Sequence, residues 1–68
     1  MLRKFAIAAI NTESGEPGIM SFADTPQEAE GRLAEATRAA GWVQATICDS
    51  LEQLHEFAKA ARSAKLNL

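Results

Sequence analysis

The chain has little of what small proteins use to compensate for a small core. Its 68 residues include one cysteine, one histidine and no tyrosine. Cys48 cannot form a disulfide within the chain, which favours a reducing, cytoplasmic setting. One cysteine and one histidine are also too few ligands for a structural zinc ion. The fold must therefore depend on a modest apolar core, since a chain of this size buries only about 60% of its unfolded surface.

Long apolar runs and glycine-rich ligand loops are also missing. The apolar run at residues 5–10 follows two basic residues but spans six positions, too few for a membrane-spanning helix, and no cleavage-type site follows it. The four glycines are not spaced as a phosphate-binding or dinucleotide-binding loop. The sequence therefore predicts neither a cofactor nor a metal, and no membrane association.

The formal charge of −2 lacks the excess of lysine and arginine that proteins use to neutralise phosphates, so nucleic acid is a disfavoured partner. Five carboxylates occur within eighteen residues around a predicted hairpin and helix start. We hypothesise that they form an acidic patch that meets a basic surface on another protein, because complementary charge speeds association. These residues are Glu13, Glu16, Asp24, Glu28 and Glu30.

Two capping motifs predict where helices begin. Thr25, followed by Pro26 and by Glu28 three residues after the cap, predicts helix α1 from the following residue to about residue 40, with Gly41 as a left-handed C-terminal residue. Ser50 and Gln53 repeat the spacing and predict helix α2.

Three apolar or alternating segments predict strands β1 (4–12), β2 (19–23) and β3 (42–48). A loop rich in glycine and proline joins the first two as a hairpin. A right-handed strand–helix–strand connection makes β3 parallel to β2, with β1 antiparallel to both. We expect one α+β domain over residues 1–68, with the order ββαβα and a mixed sheet β2-β1-β3 that carries both helices on one face. The order β1-β2-β3 is the alternative.

Strand alternation then divides the side chains between two faces. The face under the helices is predicted to hold Phe5, Ile7, Met20, Phe22, Val43 and Ile47. The other face is predicted to stay open, with the small or partly polar residues Ala6, Ala8, Ile10, Ser21, Ala23, Gln44, Thr46 and Cys48. Trp42 follows Gly41, and the main interpretation is a hydrophobic contact back to the end of α1. The alternative from strand alternation is a position at the rim of the open face, and tryptophan is enriched among binding hot spots. Candidate binding residues are therefore Trp42, Gln44, Thr46, Glu13, Glu16, Glu28 and Glu30.

Catalysis is not expected from this inventory. Cys48 near the end of β3 and His55 in α2 suggest a Cys-His dyad, but nucleophilic catalysis also needs an orienting group and oxyanion donors. A chain this short offers no second layer to enclose them. We interpret Cys48 as a small buried residue and His55 as a residue of the helix surface.

In size and layout, the strand–strand–helix opening that contains Phe22-Ala-Asp-Thr-Pro-Gln-Glu-Ala29 resembles small α/β proteins of phages and mobile elements, among them anti-CRISPR inhibitors. The resemblance implies a non-enzymatic inhibitor that binds a larger host protein, such as a CRISPR effector. It assigns no role to any single residue.

Three functional hypotheses follow. The first is a protein–protein interaction module that uses the open face, a strand edge or the acidic patch. The second is a homodimer that pairs through the open sheet face, since strand edges without charge or proline invite pairing. The third is an accessory protein associated with nucleic acid.

Overall fold

Five elements follow one another in the computed structural model, which describes residues 4–66. They are β1 (Phe5–Asn11), β2 (Pro17–Ala23), α1 (Pro26–Arg38), β3 (Trp42–Cys48) and α2 (Leu51–Leu66). The predicted order ββαβα is confirmed. β2 begins two residues earlier than predicted, at a proline that the sequence had placed in the hairpin loop.

Both helix starts carry the caps that their sequences predict. Thr25 Oγ1 accepts a hydrogen bond from the Glu28 N–H at 3.1 Å, and Ser50 Oγ accepts one from the Gln53 N–H at 3.2 Å. The Gln53 side chain reaches back one residue beyond the cap and accepts from the Asp49 N–H at 2.8 Å. These contacts satisfy N–H groups that have no partner within a helix.

The sheet has the predicted order β2-β1-β3. β1 is antiparallel to both neighbours, so β2 and β3 run in the same direction on either side of it. The expected mixed sheet was wrong in one respect, because every neighbouring pair is antiparallel. The parallel strands never pair, since β1 lies between them.

The two helices cover opposite faces of the sheet, which corrects the prediction that both lie on one face. α1 packs through Ala29 and Ala36 against a cluster that contains Ile7. α2 places Leu51 and Leu54 over the other face, beside Ala6. Within residues 4–66 the two helices make no contact with each other.

Two β-bulges explain why strand alternation assigned side chains to the wrong faces. Met20 is an extra residue in β2, and Gln44, with φ of 56°, lies where β3 has one residue more than β1. An extra residue moves every later side chain of the same strand to the opposite face of the sheet. Phe22 therefore lies opposite Ala6 and faces α2, while Met20 packs with the α1 cluster.

The face predicted to be open is covered by α2. Ala6, Ala8 and Cys48 are buried on this side of the sheet, and Ala23 is buried on the other side, opposite Phe5. Phe22 and Val43, both predicted core residues, are instead 46% exposed. The sequence thus predicted that most large core residues lie on one face of the sheet, whereas the structure divides them between the two faces.

β1 is the best-buried strand, as its nearly continuous apolar sequence predicts. Ile7 and Ala9 are fully buried towards α1, while Ala6 and Ala8 are buried towards α2. Their small side chains let both helices approach the sheet. Among the described residues, Ile7 is the one large side chain that is fully buried.

Trp42 closes the hairpin end of the α1 face. It pairs with Asn11 of β1, yet its ring reaches across β1 to Gly18 of β2, where a Cβ would come within 3.2 Å of Trp42 Cη2 and 3.3 Å of Cζ3. The absence of a side chain at position 18 therefore makes room for the indole ring.

Gly18→Ala should lower the free energy of unfolding by about 1 kcal/mol, because the added methyl group pushes against the indole. Urea denaturation followed by tryptophan fluorescence measures the loss, and the emission of the folded state should shift as the ring moves. Gly31→Ala is the control. No atom lies within 4 Å of its added Cβ, and alanine should stabilise the helix interior by about 1 kcal/mol. Equal changes in the two variants would contradict the contact.

Candidate binding surface between β2 and α2

The largest exposed apolar side chains converge where α2 crosses the edge of the sheet. Ile19 is 47% exposed, Phe22 46% and Leu51 74%. Leu51 and Leu54 adjoin both Ile19 and Phe22, so the apolar surface is continuous. Contiguous exposed apolar side chains on a small protein mark interaction sites.

A groove of about 290 Å³ runs along this surface. One wall is the start of β2, the other is α2, and Ala8 of β1 contributes to the lining between them. We call it the β2–α2 groove. Its main apolar lining residues are Pro17, Ile19, Leu51, Leu54, Phe57 and Ala58.

The outer side of β2 forms an edge of the sheet, because in the described part of the chain β2 pairs with β1 alone. Its sequence, PGIMSFA, contains no charged residue, although charges are a common protection of strand edges. Pro17 at its first position and the bulge at Met20 are the protective features present. The edge therefore has free backbone groups without a charged side chain among them.

Within residues 51–64, the basic and the acidic side chains of α2 lie on different sides of the helix. His55 and Arg62 line the β2–α2 groove, and Lys59 lies beside them. Glu52 and Glu56 face the opposite side, next to Thr46 of β3. Arg62 Nε lies 3.9 Å from Glu16 Oε2, with both side chains mostly in solvent, so this ion pair contributes little to stability.

The three strand residues proposed for binding do not share a face. Trp42 lies opposite Asn11, on the side of the sheet that α1 covers. Thr46 lies opposite Ala8 and borders α2. Gln44 is exposed at the bulge between them. The bulge breaks the alternation on which their grouping depended.

The proposed acidic patch is divided between the two ends of the sheet. Glu13 and Glu16 belong to the hairpin, whereas Glu28 and Glu30 lie in the first turns of α1. The seven residues of β2 separate the two groups, which corresponds to about 20 Å of extended chain. Each group is exposed, but the single patch expected from the sequence does not form.

Cys48 and His55 lie on different sides of α2. Cys48 is buried against the sheet, whereas His55 lines the β2–α2 groove. Burial, together with the negative charge of Asp49, raises the pKa of the Cys48 thiol above its ordinary value. The thiol is therefore protonated at neutral pH, which disfavours nucleophilic attack. Among residues 4–66, no three histidine, cysteine or acidic side chains come together as a metal-binding group.

Comparisons with protein families, with curated proteins and with solved structures found no match to this chain. No helix in the described part of the chain is long and apolar enough to cross a membrane.

The sequence interpretation missed the residues that form the exposed apolar surface in and beside the groove. Phe22, Leu51 and Leu54 were read as core residues because they fit an apolar strand or an amphipathic helix. An available signal was the small size of Ala6 and Ala8, which indicates that something packs closely on their face. The exposure of Phe22 had no sequence signal, since nothing in the sequence identifies the bulge at Met20.

Proposed function

We propose that this protein is a non-enzymatic protein–protein interaction module that binds its partner through the β2–α2 groove. The observation that supports the proposal is the convergence of Ile19, Phe22 and Leu51, all about half exposed or more, beside an uncharged strand edge. A small protein that keeps three large apolar side chains in water loses stability that burial would provide. Binding to a partner recovers it.

The chemistry of the remaining surface supports binding rather than turnover. Cys48, the strongest nucleophile candidate, is buried and has a raised pKa. His55 lies on the other side of α2 and supplies it with no base. We further propose a reducing, cytoplasmic setting, because the chain has no second cysteine.

The finer proposal is an inhibitor of a larger host protein, with a nucleic-acid enzyme such as a CRISPR effector as one target class. Its support is the resemblance in layout and the exposed carboxylates at the hairpin and at the start of α1. The division of those carboxylates between two ends makes the apolar groove the better primary contact. Self-association through an open sheet face is the less favoured proposal, because α2 covers Ala6, Ala8 and Cys48 on that face.

A photo-crosslinking amino acid at position 51 tests the proposal directly. Leu51 is 74% exposed beside the groove, so irradiation in the native cells should join the chain to one larger protein. The control places the same amino acid at position 34, which is exposed on α1, on the opposite face of the sheet. We expect an adduct from position 51 and none from position 34.

Four results would count against the proposal. Equal adducts from both positions would indicate non-specific contact. The absence of any protein adduct from position 51 would remove the interaction surface. An adduct with twice the mass of the chain would show a homodimer instead, and an adduct with nucleic acid would support the accessory-protein hypothesis.

A further inference from the structure

We propose that the β2–α2 groove binds an extended apolar peptide segment bearing a carboxylate, which adds a fourth strand to the free edge of β2. The inference rests on the proposed function and specifies the chemistry of the partner. It combines three features of one surface: an unpaired strand edge, an apolar groove beside it, and positive charge on the outer side of that groove.

The backbone of β2 supplies the first contact. After Pro17, every residue of the strand has an N–H group, and alternate residues point their backbone groups away from β1, where no strand lies within residues 4–66. An added strand would exchange hydrogen bonds with these free groups, and such main-chain bonds provide affinity with little demand on sequence. The backbone contact therefore requires that the partner be extended.

The groove supplies selectivity for side chains. Because side chains alternate along a strand, every second residue of the added strand would point to the α2 face, where Ile19 and Leu54 line the groove. Its volume of about 290 Å³ lies near the lower limit of small-molecule pockets, about 300 Å³. This space suits one or two apolar side chains of a peptide.

The charge of α2 defines the third requirement. Lys59 and Arg62 are the positively charged residues along the groove side of the helix. Arg62 also lies 3.9 Å from Glu16, so Lys59 and the remaining charge of Arg62 would attract a carboxylate on the partner. The same charges disfavour a second copy of this chain. A two-fold pairing of β2 edges would place the two α2 helices on one face with their basic sides towards each other, which is repulsive.

Selection from a displayed library of random peptides against the purified full chain tests the inference. We expect enriched peptides to alternate apolar and polar residues and to carry Asp or Glu. Ile19→Glu should weaken their binding at least about tenfold, the scale of a hot-spot contact. Val43→Glu is the matched control: Val43 is 46% exposed against 47% for Ile19 but lies outside the groove lining, so its effect should be within about twofold.

Reversal of charge on α2 provides an independent test that leaves the sequence of the three strands unchanged. The double variant Lys59→Glu/Arg62→Glu changes two exposed side chains and should shift the enriched peptides from acidic to basic. Circular dichroism confirms that each variant folds. An unchanged preference for acidic peptides would overturn the assigned role of these charges.

The remaining outcomes separate this inference from the proposed function. Enriched peptides that bind Ile19→Glu as well as the parent protein overturn the groove as the site, while protein binding stands. A library without enriched peptides overturns strand addition, and crosslinking from position 51 then decides on protein binding separately. A dimer in sedimentation that Ile19→Glu dissociates would make a second copy the occupant and would overturn the peptide.

Discussion

Ile7→Ala should lower the free energy of unfolding by about 2–5 kcal/mol, the range for truncation of a large buried aliphatic side chain. Ile7 has no exposed surface and packs with Ala23, Ala29 and Ala36. Larger side chains such as Met20 and Leu33 also pack against this cluster, but a close-packed core relaxes only partially into a new cavity. A 68-residue domain has a free energy of unfolding of about 3–10 kcal/mol. If the substitution costs about 5 kcal/mol, a large fraction of the variant should therefore be unfolded.

Urea denaturation followed by the fluorescence of Trp42 measures this loss. Ile19→Ala is the matched control, since it removes the same atoms from a side chain that is 47% exposed. We expect the control to lose about 1 kcal/mol or less, because folding buries only about half of the Ile19 side chain and the substitution therefore removes less buried apolar area. Similar losses at the two positions would contradict the placement of the core under α1.

Ala8→Leu should cost about 1–3 kcal/mol, because the larger side chain does not fit beneath α2. Ala8 is 1% exposed and lies in the floor between β2 and α2. If both helices lay on the other face, the same substitution would add an exposed leucine at almost no cost. The variant therefore distinguishes helices on opposite faces from helices on one face.

Hydrogen exchange shows where the strain from Ala8→Leu acts. Amides of α2 should exchange faster in the variant, while amides of α1 keep their protection. Ala34→Leu provides the control, because position 34 is exposed in α1, and surface substitutions change stability by about 0.5 kcal/mol or less. Faster exchange confined to α1 would refute the packing of α2 on this face.

The elements themselves could be predicted because their signals are local. Thr25 with Glu28 and Ser50 with Gln53 each satisfy helix N–H groups through contacts three residues apart, so the helix starts required no knowledge of the rest of the chain. The strand order followed from the apolar character of β1, which suits a central strand. Both predictions agree with the structure.

The placement of side chains could not be predicted because it depends on bulges. Met20 and Gln44 each add one residue to an outer strand. Neither position is occupied by a glycine or a proline, which would mark the irregularity in the sequence. Gln44 adopts a left-handed φ that only a few per cent of non-glycine residues show. Two unmarked insertions were enough to move Phe22 out of the predicted core and into the candidate site.

The central strand is also the first of the three strands within residues 4–66, and we expect this arrangement to influence the order of folding. β1 meets β2 after a tight hairpin, which closes quickly, whereas it meets β3 only after α1 has brought residues 42–48 back across the sheet. Closing the longer loop costs more entropy. On a ribosome, the β1–β2 hairpin would emerge with its other edge unpaired until β3 and α2 followed. We therefore expect a stage of synthesis in which one edge of the best-buried strand is still unpaired.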